Sequence, residues 1–336
     1  MKAWEIREFG IDALALAERP EPRPGPGEVL LKMRAASLNY RDLMVVKGAY
    51  NPRLRMPLVP LSDGVGEVVE VGEGVTRVKG GDRVAGAFFQ GWADGELTED
   101  KARTALGGAV DGVLAEYVIL HQEGVVPIPE HLSEEAAATL PCAAVTAWNA
   151  LITQGGLRPG ETVLIQGTGG VSLFALQFAR LAGARVIATS SSDEKLERAR
   201  ELGADEGINY RTTPDWDERA RELTGGRGVD HVVEVGGAGT LGKSLRAVRM
   251  GGRISMIGVL SGGGEVNPVP ILMKSIRVQG IYVGSRAMFE AMNGAMALHH
   301  LRPVMDRVFP FSEARDALRY MESAAHFGKI CLRFDS

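Results

Sequence analysis

The stretch ETVLIQGTGGVSLFALQFARLAG, Glu161 to Gly183, decides how the rest of the chain is read. Thr162 to Gln166 is apolar and strand-like, and it runs into a turn at Gly167, Gly169 and Gly170. Phe174, Leu176, Phe178 and Leu181 are among the apolar positions of the helix that should follow, with Gly183 as its C-terminal stop. Glycines at such a turn let the backbone bend tightly and approach a pyrophosphate. The start of the helix adds unbonded N–H groups and the positive end of its dipole. A second strand, Arg185 to Thr189, completes the strand–helix–strand context that a dinucleotide fingerprint requires. The fingerprint's third glycine is absent. Ser172 stands in its place, small enough to loosen the match without breaking it.

The tip of the second strand bears on which dinucleotide is bound. An NAD site usually places a carboxylate about twenty residues past the glycines, to accept from the ribose 2′-hydroxyl. This chain has Ser190 and Ser191 there, followed by Lys195. Serine hydroxyls can donate to a 2′-phosphate and a lysine adds a point charge, so NADPH is expected ahead of NADH. Asp193 and Glu194 are close by, and either one turned inward would weaken that preference.

Length and composition bound the alternatives. A chain of 336 residues should form about two domains with sizeable cores. Its formal charge is −4 and no run of Lys or Arg marks a nucleic-acid footprint, so no nucleic-acid partner is expected. The two cysteines, Cys142 and Cys331, make neither a disulfide framework nor a zinc knuckle. Met1 to Glu8 carries charges throughout, unlike a signal peptide. No run of about eighteen apolar residues offers a membrane span. A cytoplasmic protein without a membrane partner is the expectation.

Upstream of the glycine turn lie short strand-like runs at Val29–Met33, Gly66–Val71, Arg83–Ala87 and Val113–Leu120, separated by Gly and Pro clusters. From Leu132 onward helices and strands alternate. Further strands are expected near Gly207–Tyr210, Val229–Val235, Arg253–Gly258 and Ile276–Val283. Six strands with intervening helices make a complete doubly wound sheet. The tail, Phe311 to Phe334, holds a helix and a closing strand at Lys329–Phe334, and most simply returns to the first domain.

Several further motifs carry a family resemblance. They are Ser37-Leu38-Asn39-Tyr40-Arg41-Asp42, the run Asp63 to Gly72, Gly80-Gly81-Asp82-Arg83-Val84, the run Leu140 to Ala147, and Gly328-Lys329-Ile330. With the glycine turn, these make the chain resemble the medium-chain dehydrogenase/reductase superfamily over essentially its whole length. It looks most like the zinc-free quinone oxidoreductase and enoyl reductase branch. The resemblance implies an α/β protein: a Rossmann doubly wound parallel sheet at 127–284, plus a partly open, GroES-like β-barrel domain built from 1–126 and 285–336.

Zinc members of that superfamily supply a Cys, a His-Glu pair and a second Cys to the catalytic metal. Here the first position reads Ser37-Leu38-Asn39 and the pair reads Ser62-Asp63, so only Cys142 falls on a ligand position. That set lacks the three ligands of a catalytic zinc, and Phe88 to Gly112 has no cysteine for a structural one. None of the six histidines sits at a metal spacing. No zinc is therefore expected. Without a Lewis acid, a conjugated acceptor is the easier substrate, because hydride goes to the β-carbon and the charge spreads into an enolate or hydroquinone anion.

The resemblance implies candidate catalytic residues at Asn39, Tyr40, Asp42 and Tyr50, with Arg41 among the polar groups of the same segment. Tyr50 matches the proton-donating tyrosine of enoyl-thioester reductases, although water can protonate a quinone anion and a packing role for Tyr50 stays open. Implied cofactor contacts are Thr146 beside the nicotinamide and the turn Gly167, Thr168, Gly169, Gly170 and Val171. Ser190, Ser191, Lys195 and Tyr210 fall at the 2′-phosphate, Gly236, Gly258, Val259 and Leu260 at strand ends, and Lys329 near the nicotinamide half. A small-molecule substrate and a homodimer through the last strand of the sheet complete the expectation. Two other readings stay open: a zinc-independent alcohol or aldehyde dehydrogenase, and a non-catalytic NADPH-binding structural or RNA-binding protein.

Overall fold

The computed structural model describes residues 1–335, which divide into two compact units. One comprises 146–283 and the other 1–145 with 284 onward.

In the first of these, six parallel strands form one sheet: β1 (Thr162–Gln166), β2 (Arg185–Ser190), β3 (Glu206–Asn209), β4 (Val229–Glu234), β5 (Val248–Met256) and β6 (Arg277–Gly280). Their spatial order is β3-β2-β1-β4-β5-β6. The order reverses direction next to β1, so the carboxyl ends of β1 and β4 flank the topological switch point, where ligands of such sheets bind. β1 and β4 are buried along their whole length, as strands covered on both faces require. Helix α1 (Gly170–Leu181) follows β1 and packs Leu173, Phe174, Leu176 and Phe178 inward. Gly183, with φ +74°, lies just beyond its end, in the left-handed conformation that a glycine adopts without strain.

β5 begins five residues earlier than the expected Arg253, and β6 is shorter than Ile276–Val283. No helix among the described residues is long and apolar enough to cross a membrane.

The second unit is built on a seven-stranded, largely antiparallel sheet around the long strand Glu28–Ser37. That strand pairs with Asp63–Val71 on one side and with Tyr117–His121 and Lys329–Arg333 on the other. The tail thus returns to the N-terminal body, as its helix Ala314–Glu322 and closing strand suggested. Val113 and Leu114, expected to extend the Leu120 strand, instead donate their N–H groups to the carbonyls of Leu61 and Pro60. The hairpin Lys2–Glu5/Ala15–Glu18 and the strands Val125–Pro127 and Met305–Pro310 were not foreseen; at three to six residues they carry little periodicity.

One register gathers the polar residues of this unit. Ser37 stands opposite Cys331 on one flank and Asp63 on the other. Running two residues further along the antiparallel pair brings Asn39 to Lys329.

Candidate active site

At the switch point the glycines divide their roles. Gly167 has φ +71°, which a side chain would strain, whereas Gly169 is extended and caps α1. A Cβ added at Gly169 would meet nothing of the protein within 4 Å. The turn therefore leaves open space directly over the N–H groups at the start of α1, a cradle that fits a pyrophosphate. Ser172 does more than tolerate the missing third glycine. Its buried hydroxyl donates to the Gln166 carbonyl at 2.6 Å and so fastens the helix to the end of β1. Thr168 is buried and Val171 partly so.

The tip of β2 holds the residues expected at the adenosine end. Ser190 is buried, and its hydroxyl accepts the Ser192 N–H at 3.3 Å. Ser192 in turn caps the helix Asp193–Glu201 by accepting from the Lys195 N–H. The Tyr210 N–H donates to the Ser190 carbonyl at 3.0 Å, and the ring of Tyr210 is exposed. Asp193 does not turn toward Ser190; its carboxylate accepts from the Asn209 amide at 2.8 Å, and Glu194 is exposed. Ser191 and Lys195 are partly buried beside them. Beyond β4 and β5, Gly236 donates to Glu234 at 2.8 Å, Gly258 packs against the Val235 backbone, and Val259 and Leu260 are exposed. Thr146 lies buried at the start of this unit.

The other unit gathers a compact buried polar cluster. Asn39 begins the helix Tyr40–Val46, and its N–H donates to the Asp42 carboxylate at 2.8 Å. This places Asp42 as a capping group inside the protein. Burial pushes its pKa up to about 6, with the neighbouring Arg41 opposing and Asp63 reinforcing the rise. Lys329, almost fully buried, donates to the Leu38 carbonyl and to Asn39 Oδ1, both at 2.6 Å. An ammonium can only donate, so the oxygen of the Asn39 amide must face it and the NH₂ must face away. That NH₂ points toward Ser62 Oγ at 3.5 Å, and Ser62 donates to Asp63 at 2.7 Å. The remaining Asp63 oxygen accepts the Cys142 N–H at 3.1 Å, at a π-helical turn over Leu140–Ala144. Burial raises the Asp63 pKa, while Lys329 is the largest opposing influence.

Arg41 donates to the Leu106 carbonyl at 2.7 Å and lies about 5 Å from the rings of both Tyr50 and Phe88. The fork thereby seats Tyr50 by a cation–π contact. Tyr40 and Tyr50 are both exposed. The expected segment is thus split: Asn39 and Asp42 belong to the buried cluster and the two tyrosines to its surface. The sequence marks Asp63 as the start of a family motif and as a departure from a metal ligand, with no role in a buried cluster, and does not single out Glu234. Its place at the buried end of β4, two residues before the Gly236–Gly237 turn, was the available signal for Glu234.

These residues do not fit a catalytic zinc. Both oxygens of Asp63 are occupied, and burial followed by the nearby Asp63 charge pushes the Cys142 thiol well above its ordinary range, away from the thiolate a metal binds. An ammonium is already seated on Asn39. Among the described residues no three His, Cys, Asp or Glu side chains gather to hold a metal ion.

The chain matches the family model of the alcohol dehydrogenase GroES-like domain over residues 25–130 and that of zinc-binding dehydrogenases over residues 170–298. It is 46% identical over 334 residues to a zinc-type alcohol dehydrogenase-like protein of Schizosaccharomyces pombe, covering 97% of this chain and 96% of that protein. It is 31% identical to the acryloyl-coenzyme A reductase of Metallosphaera sedula, covering 98% and 96%. Among solved structures it is similar to a Sinorhizobium meliloti 1021 protein provisionally named an alcohol dehydrogenase. That match has 47% identity and a TM-score of 0.92, and covers 99% of this chain and 98% of the other.

Proposed function

The chain belongs to the medium-chain dehydrogenase/reductase superfamily, and from that premise we propose that it is an NADPH-dependent reductase of quinones or α,β-unsaturated carbonyls that works without a metal. The observation that carries this reading is the 2.6 Å contact from Lys329 to Asn39 in a cluster with no metal-binding donor set. When bound, the nicotinamide supplies a hydride. The Asn39 NH₂, turned away from Lys329 and only 3.5 Å from Ser62 Oγ, donates to the acceptor's carbonyl oxygen. The Leu38 carbonyl holds the ammonium in place. A hydrogen bond suffices at that oxygen because hydride adds at the β-carbon and the charge is delocalised. The enolate then takes a proton at its α-carbon, from Tyr50 or from water. The kinship with an acryloyl-coenzyme A reductase supports a conjugated acceptor.

The preference for NADPH is supported by the carboxylate-free tip at Ser190 and Ser191, with Asp193 held by Asn209. Turnover of enones, quinones and simple alcohols, each with NADPH and NADH, tests the assignment. Enone or quinone reduction with NADPH should dominate and survive chelator treatment, and elemental analysis should find well under one zinc per chain. Activity confined to simple alcohols, lost together with stoichiometric zinc, overturns it.

A homodimer fits the edge of the parallel sheet. β6 pairs only with β5 among the described strands, and the preceding helix Val269–Met273 leaves Leu272 and Met273 exposed by 79% and 69%. Covering such an edge with a second copy removes an aggregation template. Light scattering at micromolar concentration should return twice the chain mass, and a monomer mass would refute the pairing.

A further inference from the structure

Glu234 is the most fully engaged side chain of the dinucleotide-binding unit, and nothing about the hydride chemistry calls for it. Its carboxylate is buried at the end of β4 and accepts from five donors, all of them neutral. One oxygen takes the N–H groups of Gly236 at 2.8 Å and Gly237 at 3.1 Å, with the Thr240 hydroxyl. The other takes the Gln166 amide at 2.8 Å and the Ser244 hydroxyl. Gln166 closes the circuit, because its Oε1 accepts from the N–H groups of Val235 and Gly236 at 3.2 and 3.3 Å.

These two residues end β1 and β4, the strands that flank the switch point. Gln166 immediately precedes the Gly167 turn, and Glu234 precedes the Gly236–Gly237 turn. We propose that Glu234 and Gln166 form a positioning pair that sets both glycine turns in register for the dinucleotide, before it binds. The proposal rests on pyridine-nucleotide binding by this unit and not on the identity of the acceptor. A dinucleotide held by backbone N–H groups and bare glycine surface gains only if those groups are already in place, since ordering them on binding costs affinity. Folded glycine turns have no side chains of their own to lock them, so a buried acid does it from beneath.

The hydrogen-bond inventory makes the pair non-interchangeable. In Glu234→Gln, the N–H groups of Gly236 and Gly237 cannot reverse, so the new amide must turn its oxygen to them. Its NH₂ then faces the NH₂ of Gln166, donor against donor. Ser244 can rotate its hydroxyl to accept, but Gln166 cannot flip without setting its NH₂ against the N–H groups of Val235 and Gly236. The reciprocal change Gln166→Glu restores the match. A carboxylate at position 166 accepts from the amide at position 234 and still accepts from Val235 and Gly236.

The test is a cofactor titration by fluorescence on E234Q, Q166E and the E234Q/Q166E exchange, with thermal melting alongside. E234Q should raise the Kd for NADPH and for NADH alike, by roughly tenfold or more, on the scale of coupling between contacting polar groups. The exchange variant should recover to within about threefold of the parent, as a double-mutant cycle with strong coupling requires. The KM for cofactor should follow the Kd while kcat at saturating cofactor holds. Unchanged affinity in E234Q overturns the proposal, as does an exchange variant no better than its two single changes combined. If E234Q does not fold, the exchange variant decides: folding with parental affinity supports the pair, and weak binding or failure to fold refutes it. Because binding is read without any acceptor, a wrong substrate class leaves this result intact.

Discussion

Two buried polar clusters solve the same electrostatic problem in opposite ways. Asp42 and Asp63 lie in the GroES-like unit with Lys329 and Arg41 as neighbouring cations. Glu234 lies in the Rossmann unit surrounded only by neutral donors, two backbone N–H groups among them. A carboxylate met by fixed dipoles is as well satisfied as one met by a charge, but it leaves no cation to act on anything else. The charged cluster therefore suits a site that must polarise a carbonyl. The dipolar one suits a site that must hold backbone still. On the proposed reading, chemistry and cofactor positioning are separated by the kind of counter-group as well as by the unit of the fold.

The most severe way to break this comparison is to take the cation out of the first cluster. Lys329→Met removes the charge that most opposes the rise in the Asp63 pKa and leaves the buried Leu38 carbonyl and Asn39 Oδ1 without their donor, and should cost about 2–6 kcal/mol, from about 1–3 kcal/mol for each acceptor left unpartnered. Denaturant melts of K329M and of K329M with Asp63→Asn check it. The double change should regain the part of the loss that comes from the Asp63 charge, and a cost no larger than that of a surface substitution would mean that the ammonium is not the balancing charge.

The second test uses pH. Asp42 titrates at about 6 in the folded chain against an ordinary 3.8, so between those values the folded state binds more protons than the unfolded one. Its contribution to stability is therefore present at low pH and lost as pH rises through 6. At 1.36 kcal/mol per unit, the stability difference between Asp42→Asn and the parent should move in the variant's favour by roughly 3 kcal/mol from about pH 3 to pH 7. The amide oxygen can still accept from Asn39, so the cap survives. Equilibrium unfolding across that range checks it, and a flat difference would detach Asp42 from the charge balance.

The smallest effect belongs to the rim of the Rossmann unit, where charge should matter for the ligand and not for the fold. Lys195→Ala should weaken NADPH binding by about 1–3 kcal/mol, the scale of a charge-assisted contact, and leave NADH binding and the melting temperature nearly unchanged. Equal affinity of the parent for the two cofactors, measured by fluorescence titration, would remove the basis for this assignment.

The glycine turn was legible because the demand it meets is local. A backbone at φ +71° favours glycine at position 167, and the missing side chain at Gly169 leaves the helix N-terminus bare, so the spacing of these two glycines carries its own explanation. β1 and β2 were readable as largely apolar buried runs, whereas β5 begins five residues before the expected Arg253 and β6 is shorter and largely exposed. Ser172 shows where local reading falls short. In the sequence it is a defect in a motif, and in the fold its hydroxyl is a strap on the Gln166 carbonyl. The site residues Asn39 and Lys329 could be named from motifs. That they touch could not be read, because 290 residues separate them.

By itself, then, the sequence determined the alternation of strands and helices, the glycine turn at the end of β1, and the incomplete set of metal-binding residue types at the family's ligand positions. These follow from backbone sterics, periodicity and side-chain chemistry, all of which act over a few residues. Only the tertiary structure decided which polar groups answer one another. The return of Lys329–Arg333 to the strand Glu28–Ser37 fixes a register that puts an ammonium on Asn39, and the adjacency of β1 and β4 puts Gln166 on Glu234. Hydrogen bonds at under 3 Å depend on strand order and register, which the apolar core selects through burial of the whole sheet and which no short stretch of the chain encodes.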